Sequence, residues 1–191
     1  MQIRISDELN TILLYARDEA MRTGSYVICA DHLMLGILRH ADNAACRLLL
    51  SLGIDLDRFK RYIDGCLFRD RSVPYDAQEQ VGVGRSALNV INMAAFEALQ
   101  DGSDQVQALH LLLSLSRTAE TACASYLAVQ GAGTRELSAQ LEALGWRHSV
   151  ESAPLPPQED AAEEVRRTVE SQVQSLVFIT PSGAAGGKLP S

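Results

Sequence analysis

Two histidines stand at matching positions and are the first candidates for chemistry in this chain. His32 follows Asp31, and His110 follows Leu109, 78 residues further along. An imidazole can bind zinc or transfer a proton near neutral pH. No cysteine or carboxylate recurs beside both histidines, so a metal site is not predicted. We expect each imidazole to lie near a helix N-terminus and to hydrogen-bond to a neighbouring helix or loop.

The four cysteines and the scattered serines offer no recognisable nucleophile or metal motif. Cys29, Cys46, Cys66 and Cys123 lie far apart and form no CxxC pair, the spacing that many zinc and redox sites use. We expect them to be small buried side chains in a reducing compartment. No combination of nucleophile, base and orienting group can be identified, so we predict no catalytic residue, cofactor or metal.

A glycine-rich stretch near the C-terminus is the one segment that could suggest a phosphate-binding loop. Such a loop has the pattern GxxxxGK[ST] between a strand and a helix. Ser182 stands where the first glycine is required, and Leu189 follows Lys188 where Ser or Thr is required. A nucleotide site is therefore not predicted.

Composition argues against two further classes of partner. The chain has 17 basic and 24 acidic residues, a net charge of −7, and no dense run of Lys and Arg. Binding to nucleic acid or to an anionic membrane depends on clustered positive charge. No apolar run reaches the roughly 18 residues of a membrane-spanning helix, and the polar first residues do not resemble a secretory signal. We expect a cytoplasmic protein that binds neither nucleic acid nor membrane.

The elements that position these residues form an internal repeat. Residues 31–54 align without a gap with residues 109–132, which pairs Arg39 with Arg117 as well as the two histidines. Upstream of this segment, the best identity pairs Leu9 with Leu88. The two residues of that pair are one residue further apart than the 78 residues of the downstream segment. The pairing therefore implies an insertion in the intervening turn, where insertions are tolerated.

Each copy has the hydrophobic periodicity of four helices. In the first copy Ser6 is the predicted N-cap of a helix that ends at Gly24. Helices then follow near 31–39 and 43–52, and a fourth begins after Asp55. The third should be the most buried, because its apolar run is nearly continuous. The second copy repeats the plan near 86–100, 108–117, 119–130 and 134–144.

The fold prediction is all-α: two tandem four-helix repeats packed as a pseudo-twofold double bundle, plus a C-terminal tail helix. The double-repeat domain should span residues 1–147, with repeat one at 1–68 and repeat two at 85–147. The connector at 69–84 contains Pro74 and two glycines. Its length lets one copy pack against the other.

Residues 148–191 combine a proline-rich linker, an amphipathic helix and a glycine-rich end that we predict to be flexible. Docking of the helix onto its own domain is the simpler interpretation. The alternative is that its apolar face binds a partner helix or a second copy of the chain. That face consists of Val165, Val169, Val173 and Leu176.

Three motifs of the first copy point to a known family. SxxLNxxLxxAxxEA occupies residues 6–20, DHLxLGILR residues 31–39, and NxAxxLLxxLGID residues 43–55. In their doubled form, over about residues 1–145, they resemble the amino-terminal domain of Clp/Hsp100 unfoldases of the ClpA/ClpC type.

The resemblance implies a non-catalytic domain that receives substrates, adaptors or regulatory proteins ahead of AAA+ ATPase modules. No ATPase motif is recognised in this sequence. A chain of this kind resembles free-standing Clp-domain proteins, so we expect an accessory or regulator of ATP-dependent proteolysis. Two alternatives stay open: an N-terminal fragment of a full Clp ATPase, and an oligomeric structural or regulatory helical protein unconnected to proteolysis.

The resemblance also implies a candidate binding site at the turn before the second helix. Some family members bind phosphoarginine there in each repeat, where a Thr-Glu pair precedes the histidine. The matching residues are Ala30 and Asp31 in repeat one and Ala108 and Leu109 in repeat two. Asp31 alone retains a carboxylate that could meet a guanidinium. A plain capping role is the alternative for Asp31.

A groove between the two copies, lined by the first helices and the connector, is a second candidate site. Aromatic and arginine side chains dominate protein contacts, which selects Tyr15, Arg17, Tyr75 and Phe96, although each could equally be core or solvated surface. The candidate partner-binding residues are therefore Asp31, His32, Tyr15, Arg17, Tyr75, Phe96 and His110.

Overall fold

Two sets of four helices and one further helix build the protein. The structure, a computed structural model, describes residues 3–146 and 159–178, with the side chains of 162–175 in the second segment. Repeat one contains α1 (Asp7–Arg22), α2 (Ala30–His40), α3 (Ala44–Ser51) and α4 (Leu56–Leu67). Repeat two contains α5 (Arg85–Gln100), α6 (Ala108–Arg117), α7 (Ala122–Val129) and α8 (Thr134–Ala143). A 3-10 helix (Tyr75–Gln80) lies in the connector, and α9 (Glu159–Phe178) follows. The predicted all-α class is confirmed.

Local capping explains where several of these helices begin. The Ser6 hydroxyl accepts a hydrogen bond from the Leu9 amide at 3.1 Å, and the Asp55 carboxylate accepts one from the Arg58 amide at 2.9 Å. Both residues are thus the N-caps that the sequence predicts. Each bond satisfies an amide that the first turn of the helix leaves without a partner.

The two repeats share a single register of 78 residues throughout. α1 and α5 both contain 16 residues, and buried Leu9 corresponds to buried Ala87, whereas Leu88 is only half-buried. The pairing of Leu9 with Leu88, and the insertion that it implied, are therefore wrong. A chance Leu-Asn identity suggested them. With 3.6 residues per turn, a shift of one residue would rotate the apolar stripe of α5 out of the core.

The second helix of each repeat, not the third, is the most buried. Residues 30–38 of α2 and 108–115 of α6 are all buried. In α3, by contrast, Leu50 is 56% exposed. The sequence prediction for α3 is wrong because a short apolar run does not show on how many sides a helix is covered.

Four two-residue strands, which the sequence analysis did not predict, tie the repeats together. β1 (Arg4–Ile5), ahead of α1, pairs in parallel with β4 (Gln105–Val106), ahead of α6. β2 (Val27–Ile28), ahead of α2, pairs in the same way with β3 (Gly82–Val83), ahead of α5. The strand ahead of each first helix thus pairs with the strand ahead of the second helix of the other repeat, and the two pairings are equivalent in the 78-residue register, although β3 itself lies at the end of the predicted connector. This arrangement is the pseudo-twofold packing that the repeat predicts.

α1 and α2 cross closely at Gly36. A Cβ atom at this position would lie 2.5 Å from the carbonyl oxygen of Ile12 and 3.2 Å from the Cβ of Ala16. In repeat two the corresponding residue is Ser114, which is buried and whose hydroxyl has no hydrogen-bond partner among the described residues. The crossing of α5 and α6 therefore accommodates a small side chain, whereas the crossing of α1 and α2 has no space for a Cβ atom.

We expect Gly36→Ala to lower the free energy of unfolding by about 2 kcal/mol, because overpacking a core forces backbone shifts. Ser114→Ala is the matched change in repeat two. It should be neutral or stabilise the protein by about 1 kcal/mol, since it removes an unsatisfied buried hydroxyl. Urea unfolding followed by circular dichroism measures both. Equal destabilisation by the two substitutions would contradict the close crossing at Gly36.

α9 lies across both repeats and packs against α1, α5, β1 and β3. Val169 and Val173 are fully buried there. The Ile5 amide donates to Gln172 Oε1 at 3.1 Å, and the Asn92 side-chain amide donates to Glu170 Oε1 at 3.1 Å. Docking of α9 onto its own domain is therefore confirmed.

Self-association through the apolar face of α9 is correspondingly wrong for Val169 and Val173, because the same chain already covers them. Val165 is half-buried, and the Leu176 side chain lies outside the described residues, as do the linker before α9 and residues 179–191. The division of the chain at residues 147 and 148 stays a prediction. Among the described helices, none combines the length and the apolar character needed to cross a membrane.

Candidate protein-docking surface

His32 is a buried side chain that connects α2 to the end of α1. Its Nδ1 accepts a hydrogen bond from the Cys29 amide at 3.0 Å, and its Nε2 lies 2.9 Å from the Thr23 hydroxyl oxygen. Because Nδ1 is an acceptor, the neutral ring carries its proton on Nε2 and donates it to Thr23. The predicted structural role of His32 is confirmed.

His110 repeats this arrangement in the second half of the chain. Its Nδ1 accepts from the Gln107 amide at 2.9 Å, and its Nε2 lies 3.3 Å from Asp101 Oδ2. The ring also packs against Trp146, with 4.7 Å between the ring centroids. Both histidines therefore lock the first turn of a second helix to neighbouring elements, as the sequence predicts.

Burial lowers the pKa of His32 to about 4, whereas an unfolded chain has a histidine pKa near 6.5. Between these values the unfolded state binds a proton that the folded state does not, so stability is lost as the pH falls. We expect the free energy of unfolding to drop by about 2 kcal/mol from pH 7 to pH 5 through this group. Urea unfolding at each pH measures the drop. His32→Gln should flatten it, and an equally steep drop in that variant would contradict the assignment.

Asp31 joins the two repeats. Its Oδ2 accepts from the Ala122 amide at 3.1 Å and its Oδ1 from the Cys123 amide at 2.8 Å, and the residue is only 8% exposed. A carboxylate at a helix N-terminus satisfies free amides and interacts favourably with the helix dipole. The capping role weighed for Asp31 is therefore confirmed, and the capped helix, α7, belongs to the other repeat.

The cleft next to Asp31, between α2, α4 and α7, is filled by aromatic side chains, and we name it the aromatic cleft. Phe59 stacks on Tyr126 with ring centroids 4.5 Å apart, and Tyr62 lies 5.1 Å from Tyr126. On this side of the pseudo-twofold axis, the chain's own side chains therefore occupy the cleft.

On the other side of the axis the described residues leave the equivalent cleft unfilled. Leu109 replaces Asp31, Leu48 replaces Tyr126, and Gln140 replaces Tyr62. A pocket of about 270 Å³ results between α3, α6 and α8, and we name it the α3–α8 pocket. Its lining is mostly apolar and consists of Ala44, Arg47, Leu48, Ser51, Leu109, Gln140, Leu141, Leu144 and Trp146.

A buried carboxylate is held at the same place in each repeat, a feature that the sequence analysis missed. Glu19 is 2% exposed and accepts from Arg39 Nη1 at 3.2 Å and from Arg22 Nε at 2.8 Å. Glu97 pairs with Arg117 in repeat two. These pairs fasten the end of each second helix to the first helix, so they stabilise the fold on which the pocket is built.

The four residues predicted to line a groove have different surroundings. Tyr15 is half-buried under the Arg39 guanidinium, whose Cζ is 4.9 Å from the ring centroid. Arg17 and Phe96 are half-buried on α1 and α5, and Tyr75 is 74% exposed on the 3-10 helix. α9 packs against both α1 and α5 and so covers part of the predicted groove between the first helices. A partner-binding role for these four residues stays a prediction.

The cysteines include one exposed thiol. Cys46 and Cys123 are fully buried and Cys29 is half-buried, but Cys66 is exposed, contrary to expectation. Burial raises the pKa of Cys46 to about 11 and also raises the pKa of Cys123, so both thiols stay protonated at neutral pH. Among the described residues, no group of three or more His, Cys, Asp or Glu side chains is placed to hold a metal ion.

Sequence comparison gives this fold a set of relatives. The negative regulator of genetic competence ClpC/MecB of Bacillus subtilis is 26% identical over 151 residues, which are 78% of this chain and 18% of that protein. The chaperone protein ClpB of Oceanobacillus iheyensis is 25% identical over 147 residues, 76% of this chain and 18% of that protein. The chain thus spans about 18% of the length of these curated relatives.

Solved structures show the same helical fold. The N-terminal domain of the caseinolytic protease associated chaperone ClpD from Arabidopsis thaliana superposes with a TM-score of 0.58 at 16% identity, covering 73% of this chain and 96% of that one. The N-terminal domain of the ClpV1 ATPase from E. coli gives 0.59 at 18% identity, covering 80% and 92%. The family model of the Clp repeat (R) N-terminal domain matches residues 4–130, more than half of the sequence. The chain therefore belongs to the Clp repeat (R) N-terminal domain family.

Proposed function

We propose that this domain is a non-catalytic docking module that binds a Clp-type unfoldase, its adaptors or its client proteins. In that role it acts as an accessory or regulator of ATP-dependent proteolysis in the cytoplasm. Its curated relatives include chaperones and ATP-binding subunits of Clp protease, and the docking role is what the resemblance to the Clp amino-terminal domain implies.

The open α3–α8 pocket is the observation that carries the proposal. Binding sites are concave and mostly apolar, with a few polar groups that orient the ligand. The α3–α8 pocket has this composition, with Arg47 and Gln140 among apolar side chains. It also lies at the seam between rigid helices of both repeats, where a partner meets a preformed surface.

Binding to a purified Clp unfoldase from the same cell, and to its adaptors, tests the proposal. Biolayer interferometry with the immobilised chain should give a dissociation constant in the micromolar range, which is ordinary for a docking contact, about −8 kcal/mol. Addition of the chain should also change the rate at which the unfoldase and its peptidase degrade a client. Absence of both effects, with a folded chain, would overturn the docking function.

A further inference from the structure

We propose that the α3–α8 pocket binds a peptide segment that presents an aromatic side chain beside an Asp or Glu carboxylate. On the other side of the pseudo-twofold axis the chain supplies both groups itself: the Tyr126 ring in the aromatic cleft and the Asp31 carboxylate next to it. The proposal rests on the docking function above and specifies the chemistry of the partner segment.

The aromatic cleft shows which side chain the pocket accepts. There the Tyr126 ring contacts both Phe59 and Tyr62. In the pocket Leu48 stands in place of that ring, and none of the described residues fills the space beside it. Its volume of about 270 Å³ exceeds the roughly 150 Å³ that suffices for benzene in an apolar protein cavity. Trp146, Leu141 and Leu144 line this space and can pack against an inserted ring.

The carboxylate follows from the amides at the start of α3. On the opposite side, Asp31 accepts from the first two amides of α7, Ala122 and Cys123. The corresponding amides of α3 belong to Ala44 and Ala45, and Ala44 lines the pocket. Amides in the first turn have no partner within the helix. Leu109, which replaces Asp31, cannot accept their hydrogen bonds, so a carboxylate that enters the pocket beside Leu109 can accept them instead.

Arg47 adds charge complementarity at the same point. It is the charged residue among those that line the pocket, and its guanidinium pairs with Asp42 at 2.9 Å, at the surface. Surface pairs of this kind contribute little free energy, so the guanidinium is free to meet a second carboxylate. A peptide can offer the aromatic ring and the carboxylate on neighbouring residues.

The fluorescence of Trp146 provides the test, because it is the only tryptophan of the chain and lines the pocket. The full chain is titrated with a peptide of sequence Gly-Phe-Asp-Gly, blocked at both ends, up to about 1 mM. We expect a saturable change in emission. Exchange of the peptide Asp for Asn should weaken binding at least tenfold, and exchange of Phe for Ala should abolish it. Equal binding of the three peptides, or no change with any, would overturn the proposal.

Leu109→Asp supplies the missing carboxylate from the chain itself. Its carboxylate should cap α3 as Asp31 caps α7. We therefore expect the affinity for the Asp peptide to fall at least tenfold and the affinity for the Asn peptide to stay within about twofold of that of the wild type. Leu50→Asp is the matched control, since it adds the same charge to the exposed side of α3, outside the pocket lining. Unchanged affinity in Leu109→Asp, with an unaltered melting temperature that shows a folded protein, would overturn the carboxylate assignment.

The same variant separates this proposal from the docking function. If Leu109→Asp abolishes peptide binding but still binds the Clp unfoldase and its adaptors as wild type does, the pocket binds peptides and the docking surface lies elsewhere. If wild type binds the unfoldase but no peptide, the docking function stands and the pocket proposal fails.

Discussion

Asp31→Ala should lower the free energy of unfolding by about 3 kcal/mol, because it leaves two buried amides at the start of α7 without an acceptor. Hydrogen bonds to a charged group are stronger than neutral ones, and an unsatisfied buried donor costs its full desolvation. Urea unfolding measures the loss. Amide exchange should also accelerate at Ala122 and Cys123, the two donors to the carboxylate, as NMR can resolve.

Two variants calibrate this effect. Asp31→Asn keeps one acceptor oxygen and should lose about half as much. Thr121→Ala removes the ordinary N-cap of the same helix, whose hydroxyl accepts from the Ala124 amide at 3.2 Å, and should cost about 1 kcal/mol. An Asp31→Ala protein no less stable than Thr121→Ala would show that the bond between the repeats adds nothing to local capping.

Val169→Asp should release α9 from the double bundle. Val169 is fully buried against the repeats, and the variant both removes apolar contacts and forces a carboxylate into that site. The combined cost of about 4 kcal/mol exceeds what the remaining contacts of one helix can offset. Hydrogen exchange measured by mass spectrometry should show fast exchange throughout α9, while α2 and α6 stay protected.

Arg167→Asp is the matched control for this substitution. It introduces the same residue on the opposite side of α9, where the Arg167 side chain is 78% exposed, and should leave α9 protected. Slow exchange in Val169→Asp would contradict the docking of α9. Sedimentation adds an independent check, because docking within one chain predicts the same oligomeric state with and without residues 148–191.

Helices were predictable from the sequence because their signals are local. Ser6, Asp55 and Gly24 mark helix ends through bonds and backbone angles within a few residues, and apolar spacing marks the buried faces. The strands could not be found in this way. Two residues, such as Arg4 and Ile5, are too few to show a period, and their partners lie far along the chain.

The candidate site was predictable only in part. The sequence showed that Asp31 has no acidic counterpart at Leu109, but it could not show that Asp31 bonds to α7. The shifted alignment of the first helices separated Glu19 from Glu97 and hid the repeated ion pair. A comparison of Leu48 with Tyr126 and of Gln140 with Tyr62 could have indicated the pocket, since each replaces an aromatic side chain by a smaller or polar one.

The exchanged strands also constrain how the chain folds during synthesis. β1 is synthesised before the helices of the domain, yet its partner β4 is made about 100 residues later, as the pair Arg4 and Asp104 shows. Contacts so distant in sequence form slowly and late. The first repeat therefore keeps an unpaired strand until α5 and the strand that follows it have been made, and we expect the two halves to reach their native state as one cooperative unit rather than in succession.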